Sequence, residues 1–410
     1  MILLRHYQSD ISIRAAEILR RHGFCLLLMQ LRTGKTLTSL ATASLMNAKK
    51  VLFVTKKKVI DNILNDAEQL GVDYHLTVTN YEQLSKLKPI YDLIITDEFH
   101  STGAFPKPSE RAKALKLLCK NVPVIMLSGT PTPESYSQLF HPLWCVDFWP
   151  HKNFYAWAKD YVTVKQKFFF NRAINDYSNA DGERIKKIIE PITIHYTQAQ
   201  AGFDIVVEDR IEIIPMPDIV RTSLKILKRD KIIKTKSGDV ILADTAVKLM
   251  GKTHQICSGT VKTESGNIIA FDDFKAKYIK EKYAGYKIAI YYKYIGEREC
   301  LDKHFKNVAL TDKEFNESGP DKVYLSQIQS GREGINLSSA DYIIMYNIDY
   351  SSLSYIQVRE RLNVKGRVKP GVVVWVFTDG GIEEKIYKLV GNKQDYTLSH
   401  FLHSRLETVK

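Results

Sequence analysis

The sequence predicts an α/β protein built from two tandem parallel-sheet lobes. Short apolar strands alternate with helical stretches in two separate parts of the chain. The 410 residues exceed one ordinary core and suit two domains, each within the usual range of about 50–250 residues. Residues from about 144 to 265 lack the alternation. We therefore predict a first lobe over residues 1–205, which includes an aromatic and basic insertion at 144–185, and a second lobe over residues 206–410.

The predicted core strands share a short apolar run bounded by polar residues, as buried parallel strands do. In the first lobe they are Phe24–Met29, Val51–Thr55, Leu93–Thr96 and Val124–Ser128. In the second lobe they are Lys287–Tyr292, Val323–Ser326, Tyr342–Tyr346 and Val372–Phe377.

A turn suited to phosphate follows the first predicted strand, at Gly34, Lys35 and Thr36. Phosphate binding needs backbone amides that face the anion, a helix N-terminus behind them and a cation in front. Lys35 would reach the β- and γ-phosphates, and the Thr36 hydroxyl would help to hold Mg²⁺. The full P-loop pattern has a glycine where this chain has Met29. A chance Gly-Lys-Thr at a helix start is therefore the alternative for this turn taken alone.

Two adjacent carboxylates, Asp97 and Glu98, close the third predicted strand. Adjacent acids are common on solvated surfaces, but here they follow a buried strand in the chain order that a P-loop fold requires. We expect Asp97 to hold Mg²⁺ and Glu98 to orient and deprotonate the attacking water. The combination predicts nucleotide hydrolysis.

Two further polar residues lie near these motifs. A lone histidine such as His100 more often satisfies a local hydrogen bond than couples two sites. Gln8 belongs to the short run Arg5–Gln8, which chance would also produce. Because a phosphate-binding turn follows it, Gln8 is a candidate for reading the adenine edge.

Composition narrows the class of partner. The net charge of +13 favours a polyanion, with nucleic acid the first choice and a Lys-rich background the alternative. The five cysteines include no C-x-x-C pair, so neither a zinc site nor a disulfide framework is predicted. This cysteine pattern predicts a reducing, cytoplasmic location. No apolar stretch approaches the roughly 18 residues of a membrane span, and no signal peptide is expected.

Six motifs resemble, in order, those of superfamily 2 helicases, most closely the Swi/Snf-like branch. They are Arg5–Gln8, Met29–Thr36, Asp97–His100, Leu127–Pro131, Ser330–Leu337 and Gln357–Arg361. The Ser-Gly-Thr-Pro form of the fourth motif favours this branch over DEAD-box RNA helicases. The compact length resembles small phage-encoded members. The resemblance implies two RecA-like lobes that use ATP and Mg²⁺.

The resemblance also implies that the second lobe contributes an arginine to a cleft between the lobes, where it stabilises charge on the transferring phosphoryl group. Arg361 is the first choice. The family pattern places a second arginine at Val364, which has no charge. Lys365 or Arg367 would substitute, Arg361 would serve alone, or the motor is crippled. The predicted nucleotide-binding residues are Gln8, Arg32, Thr33, Gly34, Lys35, Thr36, Asp97, Gly334, Gln357 and Arg361.

A nucleic-acid track is implied across the tops of both lobes. Cations after the second strand suit a phosphate backbone, although a solvated helix start is the alternative. Hydroxyl, amide and backbone groups at later loops suit phosphate and sugar contacts. The candidates are Lys56, Lys57, Lys58, Thr79, Asn80, Tyr81, Ser330 and Arg332.

The aromatic and basic insertion fits no general motor motif. Phe154, Trp157 and Tyr161 have helical spacing and are expected in a core. The run 165–172 is too charged at its ends for a core, so we predict an arm or hairpin that contacts DNA by stacking or wedging. Its contact residues are Lys165, Lys167, Phe169 and Arg172.

The predicted function is that of a monomeric, ATP-dependent DNA helicase or translocase. We expect it to act on duplex, forked or four-way DNA, by branch migration or fork regression, in viral replication, repair or recombination. The alternatives are an RNA helicase and a nucleic-acid clamp or regulatory subunit with weak ATPase activity. A small-molecule P-loop kinase would explain neither the second lobe nor the basic charge.

Overall fold

The computed structural model describes residues 2–169, 172–203, 207–235, 238–331, 335–359, 361–362 and 370–392. The chain divides into two compact units, Met1–Phe203 and Asp204–Lys410. Arg332, Gly334, Val364, Lys365 and Arg367 lie outside the described residues.

The first unit alternates strands and helices in the order that a parallel sheet requires. Its strands are β1 (Phe24–Met29), β2 (Lys50–Thr55), β3 (His75–Asn80), β4 (Leu93–Asp97), β5 (Val124–Leu127), β6 (Lys165–Phe169), β7 (Arg172–Asp176) and β8 (Thr193–Tyr196). Its α-helices are α1 (His6–His22), α2 (Lys35–Leu45), α3 (Ile60–Leu70), α4 (Glu110–Leu118), α5 (Phe140–Cys145), α6 (Phe154–Tyr161) and α7 (Gly182–Ile189).

Six of these strands form one sheet in the order β3-β2-β4-β5-β1-β8, and every neighbouring pair is parallel. Helices cover both faces, so the central strands are apolar on both sides and form two cores. The carboxyl ends of β1 and β4 lie at the same edge of the sheet, because parallel strands share a direction. This edge therefore receives both the turn after Met29 and the carboxylates after Thr96.

The second unit repeats this architecture. Its strands are β9 (Val207–Ile214), β10 (Ile232–Lys234), β11 (Val240–Leu242), β12 (Thr260–Lys262), β13 (Ile268–Ala270), β14 (Ile288–Tyr292), β15 (Val308–Ala309), β16 (Val323–Gln327), β17 (Tyr342–Met345) and β18 (Gly371–Thr378). Its helices are α8 (Asp218–Asp230), α9 (Ala246–Cys257), α10 (Phe274–Lys282), α11 (Ile295–His304), α12 (Asp312–Glu317), α13 (Ile328–Gly331), α14 (Ser352–Arg359) and α15 (Glu383–Gly391).

The second sheet has the order β15-β16-β14-β17-β18-β9, again with parallel neighbours throughout. Two antiparallel hairpins, β10–β11 and β12–β13, lie between β9 and β14 in the chain. The predicted fold class, two tandem RecA-like parallel-sheet lobes, is confirmed by these two sheets.

The aromatic and basic insertion belongs to the first unit, because the chain returns to the first sheet as β8 after it. Phe154 and Trp157 are buried, as predicted, and pack against Phe140 with ring centroids 5.5 and 5.4 Å apart. Tyr161 stacks on Trp157 at 5.3 Å. These aromatic residues therefore stabilise the unit.

Of the arm or hairpin predicted at 165–172, the structure has a hairpin that extends to Asp176, and its contact with DNA stays a prediction. Strands β6 and β7 pair antiparallel, with Lys165 opposite Asp176. Lys165 is exposed. The side chains of Lys167, Phe169 and Arg172 lie outside the described residues.

Candidate nucleotide site

The turn between β1 and α2 has the backbone of a phosphate-binding loop. Gly34 caps α2 with a φ of +86°, a conformation that glycine adopts without strain. A Cβ atom on Gly34 would lie 1.9 Å from Gln8 Nε2, so close packing also requires glycine here. Arg32 has a φ of +64°, and the Thr33 hydroxyl donates to Gln30 O at 2.7 Å. The turn thus leads directly into a helix N-terminus, which favours anions.

Lys35 is the central cation of the site. Its side chain is 10% exposed, and its Nζ lies 3.6 Å from Glu98 Oε1. A Cβ atom on Gly129 would lie 3.3 Å from the same Nζ. Among the described residues this buried amine has no hydrogen-bond partner. An unsatisfied buried ammonium is costly, so its place beside a phosphate-binding turn fits an anionic ligand.

The two carboxylates follow β4 and are held differently. Thr55 Oγ1 donates to Asp97 Oδ2 at 3.0 Å, and the Tyr81 hydroxyl donates to Asp97 O at 2.7 Å. Glu98 has a φ of +50°, an uncommon conformation for a residue other than glycine. The backbone therefore turns sharply between the two acids and sends the Glu98 carboxylate towards Lys35.

The pKa values of the two acids are shifted in opposite directions. Burial, together with the charge of Glu98, raises the pKa of Asp97 to about 6, and Lys35 and Thr55 oppose this rise. Burial also acts to raise the pKa of Glu98, but the charge of Lys35 and the hydrogen bond from His100 outweigh it and hold that pKa below its usual range. Glu98 therefore stays ionised as the pH falls through the range in which Asp97 takes up a proton.

His100 and Ser128 both contact Glu98. His100 Nδ1 lies 3.3 Å from Glu98 Oε2 and 3.4 Å from Ser128 Oγ. Ser128 Oγ lies 3.1 Å from the same Glu98 oxygen and accepts from the Thr130 amide at 3.1 Å. The motif after β5 is thereby joined to the acid after β4. Of the two roles considered for His100, these contacts fit local hydrogen bonding, and coupling of two sites stays a prediction.

Gln8 lies against the phosphate-binding turn. It is 3% exposed, its Oε1 accepts from the Arg5 amide at 2.8 Å, and its Nε2 lies 3.5 Å from Thr33 O. The Tyr7 hydroxyl donates to the same carbonyl at 3.0 Å. The side chain of Gln8 thus supports the turn in this structure, and its reading of adenine stays a prediction.

Two residues beside the turn were missed by sequence reasoning. The ring of Tyr196, in β8, stacks on Tyr7 with centroids 4.6 Å apart. Gln198 donates from its amide to Gln30 Oε1 at 2.6 Å and from Nε2 to Leu31 O at 2.9 Å. Gln198 lies 168 and 167 residues after its two partners in the chain. No motif contains Tyr196 or Gln198, whereas Gln30 lies within the motif Met29–Thr36.

The donor set fits Mg²⁺ with a nucleotide. The Thr36 hydroxyl and the Asp97 carboxylate are hard oxygen ligands, which Mg²⁺ prefers, and it commonly binds through few protein oxygens plus phosphate. Within the described part of the chain, no group of three or more His, Cys, Asp or Glu residues could hold a metal ion. The unsatisfied Lys35 Nζ fits phosphate oxygens.

The two second-unit candidates that the structure describes belong to one region. Gln357 is in α14 and is 1% exposed. Arg361 follows α14, is 8% exposed, and its Nη1 donates to Ile335 O at 3.2 Å. Ser330 is in the short helix α13, and its side chain lies outside the described residues.

Six of the ten predicted nucleic-acid residues of the first unit lie at or directly after the carboxyl ends of β2 and β3. Lys57 and Lys58 are exposed in a short 3₁₀ helix, with Lys56 at its N-cap. Thr79 and Asn80 end β3, where Asn80 Oδ1 accepts from the Glu82 amide at 3.1 Å.

Tyr81 corrects one prediction. It is only 4% exposed, its ring belongs to a hydrophobic core, and its hydroxyl contacts Asp97 O. It therefore supports the acid strand and presents no ring for contact with nucleic acid.

Within the described residues, no helix is long and apolar enough to cross a bilayer.

Comparisons with known proteins place the chain near SWI/SNF-related proteins. No protein-family model matches the chain. It is 24% identical over 346 residues to "SWI/SNF-related matrix-associated actin-dependent regulator of chromatin subfamily A-like protein 1" of Drosophila melanogaster, covering 81% of this chain and 44% of that protein. It is 21% identical over 398 residues to "CHD3-type chromatin-remodeling factor PICKLE" of Arabidopsis thaliana, covering 86% of this chain and 27% of that protein.

The chain thus spans less than half the length of these relatives. A solved structure titled "Sulfolobus solfataricus SWI2/SNF2 ATPase core in complex with dsDNA" has 17% identity and a TM-score of 0.43, covering 95% of this chain and 91% of that chain. The sequence relatives agree with the resemblance to the Swi/Snf-like branch that the motifs indicated.

Proposed function

We propose that the protein hydrolyses ATP at the first-unit site and uses the energy to move along DNA. The observation that carries the proposal is the Lys35 ammonium, buried beside a phosphate-binding turn and, among the described residues, without a hydrogen-bond partner. A ligand with phosphate oxygens would satisfy this amine.

The residues divide the chemistry between them. The backbone amides that follow Gln30 bind the phosphates together with the Lys35 side chain. Mg²⁺ held by Thr36 and Asp97 would supply further charge neutralisation when bound. Glu98 orients the attacking water and accepts its proton, and His100 with Ser128 holds this carboxylate in place. Arg361 is proposed to stabilise charge on the transferring phosphoryl group.

The test is steady-state ATP turnover of the wild type and the Glu98→Gln variant. The variant keeps the shape of the side chain but loses the base. We expect about 10²-fold slower turnover with ATP binding retained. Equal turnover in the two proteins would contradict the role of Glu98.

DNA is the proposed partner. The support is the net charge of +13, the exposed cations Lys57 and Lys58, and the β6–β7 hairpin. The relatives named as regulators of chromatin or chromatin-remodelling factors point the same way. Remodelling of forked or four-way DNA, a viral role and a cytoplasmic location are finer proposals, drawn from the motif resemblance and composition.

ATP turnover with single-stranded, duplex, forked and four-way DNA, and with RNA, tests the partner. We expect the greatest stimulation by DNA, with forked or four-way DNA above plain duplex. Stimulation by RNA alone would favour an RNA helicase.

Charge reversal at Lys165, Lys167 and Arg172 tests the hairpin. We expect it to weaken DNA stimulation while turnover without DNA stays the same. Unchanged DNA stimulation would remove the hairpin from the DNA contacts.

A nucleic-acid clamp with negligible turnover is the second candidate. It is favoured by Val364, which stands where the family pattern has an arginine. DNA binding without measurable ATP turnover in the wild type would support this candidate over a motor.

A further inference from the structure

One carboxylate in the second unit gathers donors from three elements. Asp209 lies in β9, the edge strand of the second sheet, and its side chain is 13% exposed. Its Oδ2 accepts from the hydroxyls of Tyr355, at 2.6 Å, and Tyr387, at 3.0 Å. Its Oδ1 accepts from Trp375 Nε1 at 3.0 Å and Arg359 Nε at 3.1 Å. Asp209 therefore links α14, α15 and β18 to β9.

These contacts hold α14 in particular, because two of the four donors belong to it. Arg359 also donates from Nη2 to Val207 O at 2.9 Å, which gives this side chain a second bond to β9. The Tyr355 ring stacks on Trp375 with centroids 5.3 Å apart. The middle of α14 and its C-terminal residue are thus attached by charge-assisted hydrogen bonds to β9 and by ring packing against β18.

The N-terminal end of α14 is attached separately. Asp349, just before the helix, accepts from Ser354 Oγ at 2.8 Å and forms an ion pair with Lys293. With both ends held, the helix is fixed in rotation and in position. The residues that it presents are Gln357 and, directly after it, Arg361, both buried.

We propose that Asp209 is a positioning residue for ATP hydrolysis, which fixes α14 so that Arg361 is held for the transition state. The inference rests on the proposed function and adds a residue that lies in none of the six motifs. Preorganised charge acts in the transition state, and small displacements of such groups slow the chemical step more than they weaken binding.

The informative variant is Asp209→Asn, which preserves size. A carboxylate offers two acceptor oxygens, whereas an amide offers one and places an N–H₂ group against the remaining donors. Two of the four hydrogen bonds to residue 209 are therefore lost. We expect kcat for ATP to fall about 10-fold or more, with KM for ATP and the affinity for DNA changed by no more than about twofold.

Glu212→Gln is the matched control. Glu212 lies in the same strand, is also buried, and accepts hydrogen bonds from Tyr278, Lys282 and Tyr283 at 2.7–2.9 Å. Three residues along a strand place it on the opposite sheet face, where it contacts α10 and its C-terminal end. We expect Glu212→Gln to lower the melting temperature comparably and to leave kcat unchanged.

The kcat values of the wild type and the two variants separate failure of the Asp209 inference from failure of the proposed function. A normal kcat in Asp209→Asn, or an equal loss of kcat in both variants, would overturn the positioning role. If the wild type hydrolyses no ATP, the proposed function fails together with this inference. If the wild type is active and Asp209→Asn is equally active, only the inference fails.

Should Asp209→Asn not fold, Tyr355→Phe decides the question. It removes a single hydroxyl from the Asp209 contacts and keeps the ring stacked on Trp375. We expect kcat to fall about threefold, with KM unchanged. A kcat equal to that of the wild type would overturn the inference.

Discussion

Each unit buries a lysine near the carboxyl edge of its sheet, and the two lysines have opposite surroundings. Lys275 in α10 is fully buried and donates to Tyr346 O at 3.1 Å, Val376 O at 2.9 Å and Glu383 Oε1 at 3.0 Å. Lys35 is almost as buried but has no hydrogen-bond partner among the described residues. A buried cation with all its bonds made stabilises the fold, whereas one without them marks a place for a ligand.

The largest expected effect is on stability, at Lys275. Replacing it by Met leaves Glu383 charged and without its cation in the core of the second unit, which should cost about 3–5 kcal/mol in the free energy of unfolding. Chemical denaturation followed by near-UV circular dichroism measures this cost. A loss below about 1 kcal/mol would show that Lys275 is not the structural counterpart that its contacts indicate.

Lys35→Met tests whether the lysine of the first unit serves a ligand and not the stability of the fold. The change removes the cation beside Glu98 but breaks no hydrogen bond among the described residues, so we expect a smaller loss of stability than for Lys275→Met, while ATP turnover falls about 10²–10³-fold. Turnover assays and thermal unfolding on the same preparation test both parts. Strong destabilisation by Lys35→Met would mean that Lys35 acts structurally, as Lys275 does.

Ser128→Ala tests whether the hydrogen bond from Ser128 to Glu98 contributes to ATP hydrolysis. The hydroxyl lies 3.1 Å from Glu98 Oε2, and its loss frees one side of the base. We expect about 10-fold slower turnover, less than for loss of Lys35, with ATP affinity unchanged. Ser39→Ala is a suitable control, because its hydroxyl donates only to Thr36 O within α2.

The smallest expected effect is on pH dependence and concerns His141. Burial lowers the pKa of this histidine to about 4, although its Nδ1 lies 2.6 Å from Ala104 O. The unfolded chain therefore binds more protons than the folded one between pH 4 and about 6.5, and stability falls as pH drops through that range. We expect a loss on the order of 1 kcal/mol between pH 7 and pH 5, and a smaller one in His141→Gln. Equal pH slopes in the two proteins would contradict this origin.

The central strands could be predicted from the sequence because burial on both faces leaves each of them an uninterrupted apolar run, such as Leu93–Thr96. The edge strands β8 and β9 could not. In β9, Glu208 and Arg210 are exposed, and the strand carries only two fully buried positions near its end, Glu212 and Ile214. Edge strands need no continuous apolar run, so their pattern is not distinct from that of a loop.

The nucleotide site shows the same division. Lys35, Asp97 and Glu98 follow strands that the sequence reveals, so strand direction alone brings them together. Tyr196 and Asp209 join their partners through pairing of strands far apart in the chain. A local sequence pattern does not predict such contacts, because they depend on how the edge strands pair in the folded protein.

Calorimetry with Mg²⁺ present gives the most direct test of phosphate binding by Lys35. It compares the affinities of the wild type and of Lys35→Met for ATP and for AMP. We expect the variant to bind ATP about 10–100-fold more weakly and AMP equally well, because the lysine reaches only the outer phosphates. Equal ATP affinity in the two proteins would contradict the claim that Lys35, whose buried Nζ has no hydrogen-bond partner among the described residues, is there for a phosphate.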